Sequence, residues 1–79
     1  MTIKVRVFAA LRELAGTSRL EASGRTVGEV SDALSAAQGE RFAQIAAVST
    51  FVVNGERATR ETVVAEGDEV AILPPVSGG

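Results

Sequence analysis

Gly67-Asp68-Glu69-Val70-Ala71-Ile72-Leu73-Pro74-Pro75-Val76-Ser77-Gly78-Gly79 decides how this chain is read. Gly67-Asp68 marks a turn, Glu69 to Leu73 reads as an apolar strand, and the two prolines end it. A proline cannot donate to a strand ladder and holds its φ near one value. Residues 76–79 are therefore expected to leave a folded body, residues 1–75, as an extended arm made of Val76, Ser77, Gly78 and Gly79. The last two residues carry no side chain to obstruct a narrow channel or crowd an attacking nucleophile. The α-carboxylate of Gly79 is accordingly the candidate functional group, with Pro74, Pro75, Val76, Ser77 and Gly78 as the tail that presents it.

Composition narrows what such a tail can serve. A chain of 79 residues makes one small domain and leaves no room for a second domain or a deep enclosed pocket. With 46% apolar and 23% charged residues, it has the balance of a folded domain rather than a disordered one. The formal charge is −2 and the basic residues are scattered singly, which argues against nucleic acid and membrane surfaces as partners. There is no Cys and no His. Disulfides, thiolate catalysis, Ser–His or Cys–His pairs and a transition-metal site all go with them, so catalysis by this chain alone is not expected. The N-terminal residues read as strand rather than apolar leader, and a cytoplasmic location is expected.

Working outward from the tail, Thr2 to Phe8 alternates with period two. Ile3, Val5 and Val7 fall on one face and Lys4, Arg6 and Phe8 on the other. Ala9 to Ala15 has the composition of one or two helical turns stopped by Gly16, and Thr17 to Ala22 reads as a short edge strand. Thr26-Val27-Gly28-Glu29 has capping-box spacing, predicting a main helix over residues 27–38. Its buried stripe is read as Val27, Val30, Ala33, Leu34 and Ala37, with Gly39 closing the helix. Phe42, Ile45 and Val48, three apart, predict a further helical turn at the end of the core. Thr50 to Val53, the hairpin pair Asn54-Gly55 and a short strand at Glu56 to Ala58 come next. Thr59 to Glu66 is expected to be a loop with Val63 and Val64 both turned inward.

This order of elements specifies an α+β chain: a mixed sheet covered on one face by one main helix, in the ubiquitin-like β-grasp arrangement, with first and last strands parallel at the centre. Parity then has a consequence. If Val70 and Ile72 face the core, Ala71 and Leu73 face the other way, as Phe8 does. Phe8 and Leu73 would lie side by side on the uncovered face at the root of the tail, with Arg6, Arg12, Arg57 and Arg60 available to frame them. Phe8, Leu73 and Arg57 are the candidate partner-binding residues.

Three blocks together carry a family resemblance: Phe8-Ala9-Ala10-Leu11-Arg12-Glu13-Leu14-Ala15-Gly16, Val53-Asn54-Gly55-Glu56, and the closing stretch from Gly67 to Gly79. The chain resembles the MoaD family, the sulfur-carrying small subunit of molybdopterin synthase, over its whole length. Residues 40–50 depart from the family's pattern. The resemblance implies that an E1-like adenylating enzyme activates the Gly79 carboxylate with ATP and magnesium. It further implies that a sulfur donor, a sulfurtransferase or cysteine desulfurase, converts the adenylate to a thiocarboxylate. The carrier then docks on the synthase's large subunit and delivers sulfur to a cyclic pyranopterin precursor. ATP and magnesium belong to the activating enzyme, so no cofactor is expected on this chain. A sulfur carrier of the thiamine or cysteine type, and a ubiquitin-like modifier joined through Gly79 to lysine amines, are the alternatives. Pro74-Pro75 argues against the thiamine type.

Overall fold

The computed structural model describes residues 2–75. The chain runs β1 (Ile3–Val7), α1 (Ala9–Ala15), β2 (Arg19–Ala22), α2 (Val27–Gln38), α3 (Glu40–Ala47), β3 (Thr50–Val53), β4 (Glu56–Ala58) and β5 (Glu69–Leu73). The five strands form one mixed sheet in the order β2-β1-β5-β3-β4. β1 and β5 are parallel neighbours at its centre, and the other pairings are antiparallel. This is the expected ubiquitin-like β-grasp.

The core lies on one face of the sheet. Ile3, Val5 and Val7 from β1, Val70 and Ile72 from β5, and Phe51 from β3 meet Leu11, Val27, Val30, Leu34, Phe42, Ala46 and Val64. The alternation read in β1 and β5 is therefore the real one, and Glu69, Ala71 and Leu73 share the opposite face. Gly16 takes a left-handed conformation, φ 78°, and closes α1 by donating its N–H to the Arg12 carbonyl at 2.9 Å. Asn54 and Gly55 both have positive φ, 50° and 86°, as the tight β3–β4 hairpin requires.

The first three donors of α2 are satisfied from outside the helix. The N–H of Val27 reaches the Thr62 carbonyl and that of Gly28 the Arg60 carbonyl, both at 2.9 Å, while the N–H of Glu29 reaches Thr26 Oγ1 at 3.2 Å. Residues 59–64 are thus sewn to the start of α2. Gly28 makes the approach possible, since a Cβ there would lie 3.1 Å from both the carbonyl oxygen and the guanidinium of Arg60.

Several expectations are corrected. The further helical turn expected after the main helix is a helix of 8 residues, α3, which packs beside α2 and buries Phe42 and Ala46. An α-helix repeats every 3.6 residues, so position 46 shares the face of Phe42. Val48 instead caps the helix and is exposed, and Ile45 is half-buried. In α2 the buried set is Val27, Gly28, Val30, Ser31 and Leu34, with Ala33 and Ala37 exposed. The expected stripe let the alanines' apolar character override the helical angle. In the capping box the Glu29 carboxylate accepts from the N–H of Arg25, at 2.9 Å, rather than from that of Thr26, the donor that capping-box spacing implies. Val63 is 75% exposed while Val64 is buried. An isolated antiparallel bridge between Thr26 and Val63 keeps this pair extended, so adjacent valines point to opposite sides. Strand β2 starts at Arg19 rather than Thr17, whose hydroxyl accepts from the N–H of Arg19 at 3.2 Å in a local turn.

Candidate functional site

The expected site has two parts, a tail and the sheet face at its root. Gly79, Gly78, Ser77 and Val76 lie outside the described residues, so the structure places only the root. Pro74 and Pro75 follow β5 directly, and Pro75 is exposed. Because β5 sits between β1 and β3, the chain leaves the sheet from its centre, beside the end of β1.

Strand register shows what surrounds that exit. Val7 is paired with Ile72, so Phe8, still extended at φ −133° and ψ 161°, comes level with Leu73 on the adjacent strand. Both are half-buried on the face without helices. Ala9 follows with φ 52°, a left-handed turn at a residue with a Cβ, and swings the chain away into α1. Thr50 pairs with Leu73 on the other side, and Val52 pairs with Ala71. The open face near the tail root is therefore apolar along its middle, formed by Phe8, Leu73, Ala71 and Val52.

The arginines divide. Arg57 pairs with Val52 and belongs to the open face, as does Arg6, which pairs with Ala71. Arg60 does not frame this face. Its guanidinium bonds the carboxylate of Asp32, midway along α2, at 2.8 Å, the one close ion pair among the described residues, and that bond raises its pKa. Arg12 is exposed on α1. A residue the sequence reading passed over is Arg19, directly opposite Arg6 on β2. Strand alternation about Leu20 was the available signal, since it sends Arg19 and Glu21 to the face opposite Leu20.

At the far end of β5 the turn is held by side chains. Asn54 donates to Asp68 Oδ1 and accepts from the N–H of Glu69, both at 3.0 Å, and Asp68 Oδ2 accepts from the N–H of Ala65 at 2.8 Å. The Asn54 amide first, then the Ala65 N–H, hold the Asp68 carboxyl below its ordinary pKa. Among the described residues no three His, Cys, Asp or Glu side chains gather into a metal site, and no helix is long and apolar enough to cross a membrane. The geometry offers an apolar, arginine-flanked face and a chain leaving from its middle.

The profile of the ThiS family matches residues 5–79, nearly the whole chain. The chain belongs to the ThiS family. Among its ThiS-family relatives is small archaeal modifier protein 1 of Haloferax volcanii, 39% identical over 88 aligned residues that cover 94% of this chain and 97% of the relative. A crystal structure of that protein matches this one with a TM-score of 0.82 at 33% identity, covering 100% of both chains. The molybdopterin synthase sulfur carrier subunit of Arabidopsis thaliana is 39% identical over 83 residues, 98% of this chain and 82% of that protein. That relative bears out the expected kinship with the MoaD carriers. A chain in the Amycolatopsis orientalis BexX/CysO complex has the same fold, with a TM-score of 0.81 at 28% identity, covering 98% of this chain and 99% of the other.

Proposed function

We propose that this ThiS-family chain is a sulfur carrier whose working group is the carboxylate of Gly79, and that it serves as the small subunit of a molybdopterin synthase. The observation that carries the reading is positional. Central strand β5 runs directly into Pro74-Pro75, the root of the tail in sequence, while Phe8, Ala71, Val52 and Leu73 form an apolar face at the same place. A protein that docks on this face receives the tail in a fixed direction.

The chemistry follows from the carboxylate. Ionised at neutral pH, with a pKa of about 3.5, it is a poor acyl electrophile. An E1-like enzyme activates it: a carboxylate oxygen attacks the α-phosphate of ATP, pyrophosphate leaves, and Gly79 becomes an acyl-adenylate. The terminal sulfur of a persulfide on a sulfurtransferase or cysteine desulfurase then displaces AMP to give an acyl disulfide, and a second thiol attacks the donor's sulfur, forming a disulfide there and releasing the Gly79 thiocarboxylate. Docked on the large subunit, the tail delivers that sulfur to the pterin precursor, and a carboxylate is regenerated by water. The carrier's own residues supply docking and reach, consistent with a chain that has neither His nor Cys.

A second reading, protein modification, is favoured by the 39% identity to a small archaeal modifier protein. Both readings share the adenylate and differ in the nucleophile. The test is reconstitution with the large subunit and a pterin precursor, using the native chain and one carrying an extra alanine after Gly79. Dithiolene product from the native chain alone supports the proposal. Equal product from both, or isopeptide adducts without pterin product, contradicts it.

A further inference from the structure

The open face carries its charges in two distinct rows. In one, Glu21, Lys4 and Glu69 lie side by side across β2, β1 and β5, so the lysine has a carboxylate on either hand. In the next row Arg19 faces Arg6, and beyond Arg6 come Ala71, Val52 and finally Arg57. No acid stands in that row. Two arginines directly opposite one another across antiparallel strands repel, and a sequence that balances Lys4 on both sides leaves this pair unbalanced.

Arg6 is also held in place. Its guanidinium carbon lies 5.9 Å from the centre of the Phe8 ring, and its Nε is buried without a hydrogen-bond partner among the described residues. A buried donor left unsatisfied is uncommon in a folded protein. The flanking carboxylates Glu21 and Glu69 select the kind of acceptor. They repel a continuous polyanion such as nucleic acid or an anionic lipid surface, but leave room for a single carboxylate at the arginine pair.

We propose that the large subunit, docking on this face, presents two acidic side chains to this row. Arg6 and Arg19 clasp the first, and Arg57 meets the second. Neighbouring strands are about 4.8 Å apart, so Arg57 stands about 14 Å from Arg6, three strands away across the apolar saddle of Ala71 and Val52. The partner's acids flank an apolar contact at that separation. The arginines orient the carrier and speed its encounter, while the saddle and Leu73 supply the buried contact. This rests on the proposed docking of the open face.

The test measures binding of the full-length carrier to the synthase large subunit of the same organism, by surface plasmon resonance over a range of sodium chloride concentrations. The variants are Arg6→Gln/Arg19→Gln, Arg57→Gln, Leu73→Ala and the control Arg60→Gln, each checked by circular dichroism. The double variant is expected to lose about tenfold in association rate at low salt and to flatten the salt dependence. Arg57→Gln loses less, and Arg60→Gln binds as the native chain does. Relief of repulsion is expected to raise the double variant's melting temperature in low salt even as its binding weakens. Undiminished association by the double variant, with Leu73→Ala impaired, overturns the arginine assignment and leaves the docking face standing. Undiminished binding by Leu73→Ala as well overturns the docking reading itself.

Discussion

Ile72 and Leu73 are neighbours in sequence, and they separate what folds the chain from what it does. Ile72 is wholly buried in the core on the sheet's helix-covered face, whereas Leu73 is half-buried on the open face beside Phe8. Truncating a fully buried isoleucine to alanine costs about 3 kcal/mol, from lost transfer energy plus the cavity left behind. A domain of 79 residues has roughly 4–12 kcal/mol of stability in all, so Ile72→Ala removes a large part of it. At roughly 4–8 °C per kcal/mol for a domain of this size, its melting temperature falls by roughly 12–24 °C. Leu73→Ala leaves no closed cavity and gives up only part of a side chain's burial, about 1 kcal/mol or roughly 4–8 °C. Binding reverses the order. Leu73→Ala weakens partner association at least about tenfold, equivalent to about 1.4 kcal/mol, while the folded fraction of Ile72→Ala binds normally. Thermal denaturation followed by circular dichroism, paired with calorimetric titration of the partner, checks both halves. A larger stability loss for Leu73→Ala than for Ile72→Ala would refute the face assignment, and the docking argument with it.

Two further outcomes follow from the local geometry. Gly24→Ala is expected to destabilise by about 2 kcal/mol, because a Cβ at Gly24 would lie 2.8 Å from the backbone nitrogen of Val30 and 3.0 Å from Glu29 Cβ, and backbone at the start of a capped helix has little freedom to yield; urea denaturation measures this, and an unchanged midpoint would contradict it. Asp68 gives a pH dependence: since its folded pKa is lowered, it stabilises the fold above the ordinary carboxylate range near about 4 and loses that contribution as pH falls through the lowered value, so Asp68→Asn flattens the acid side of the stability curve and leaves a chain less stable than the native one at neutral pH.

Much of this molecule was legible in its sequence where a single physical rule acts alone. Alternation in Ile3–Val7 and Glu69–Leu73 assigned both faces of the central strands, and Asn54-Gly55 fixed the hairpin between β3 and β4. The same parity places Phe8 and Leu73 on one face, and the register brings them level. What escaped depends on pairs of segments. The bridge from Thr26 to Val63 turns Val63 outward, and it exists only because residues 59–64 lie along the start of α2. Arg60 was drawn to Asp32, 28 positions earlier in the chain, and so away from the open face. Alternation about Leu20 sends Arg19 to the open face, but its place directly opposite Arg6 depends on register, which β2 alone does not give. The turn at Ala9 was invisible because alanine gives no sign of a positive φ.

The central claim is that Gly79 carries sulfur. Intact mass spectrometry of the protein, after incubation with an E1-like adenylating enzyme, ATP, magnesium and a sulfide source, tests it most directly. The account predicts a mass gain equal to exchange of one oxygen for sulfur, localised to Gly79 by fragmentation. No gain, with the same enzyme shown to activate another carrier, would contradict it.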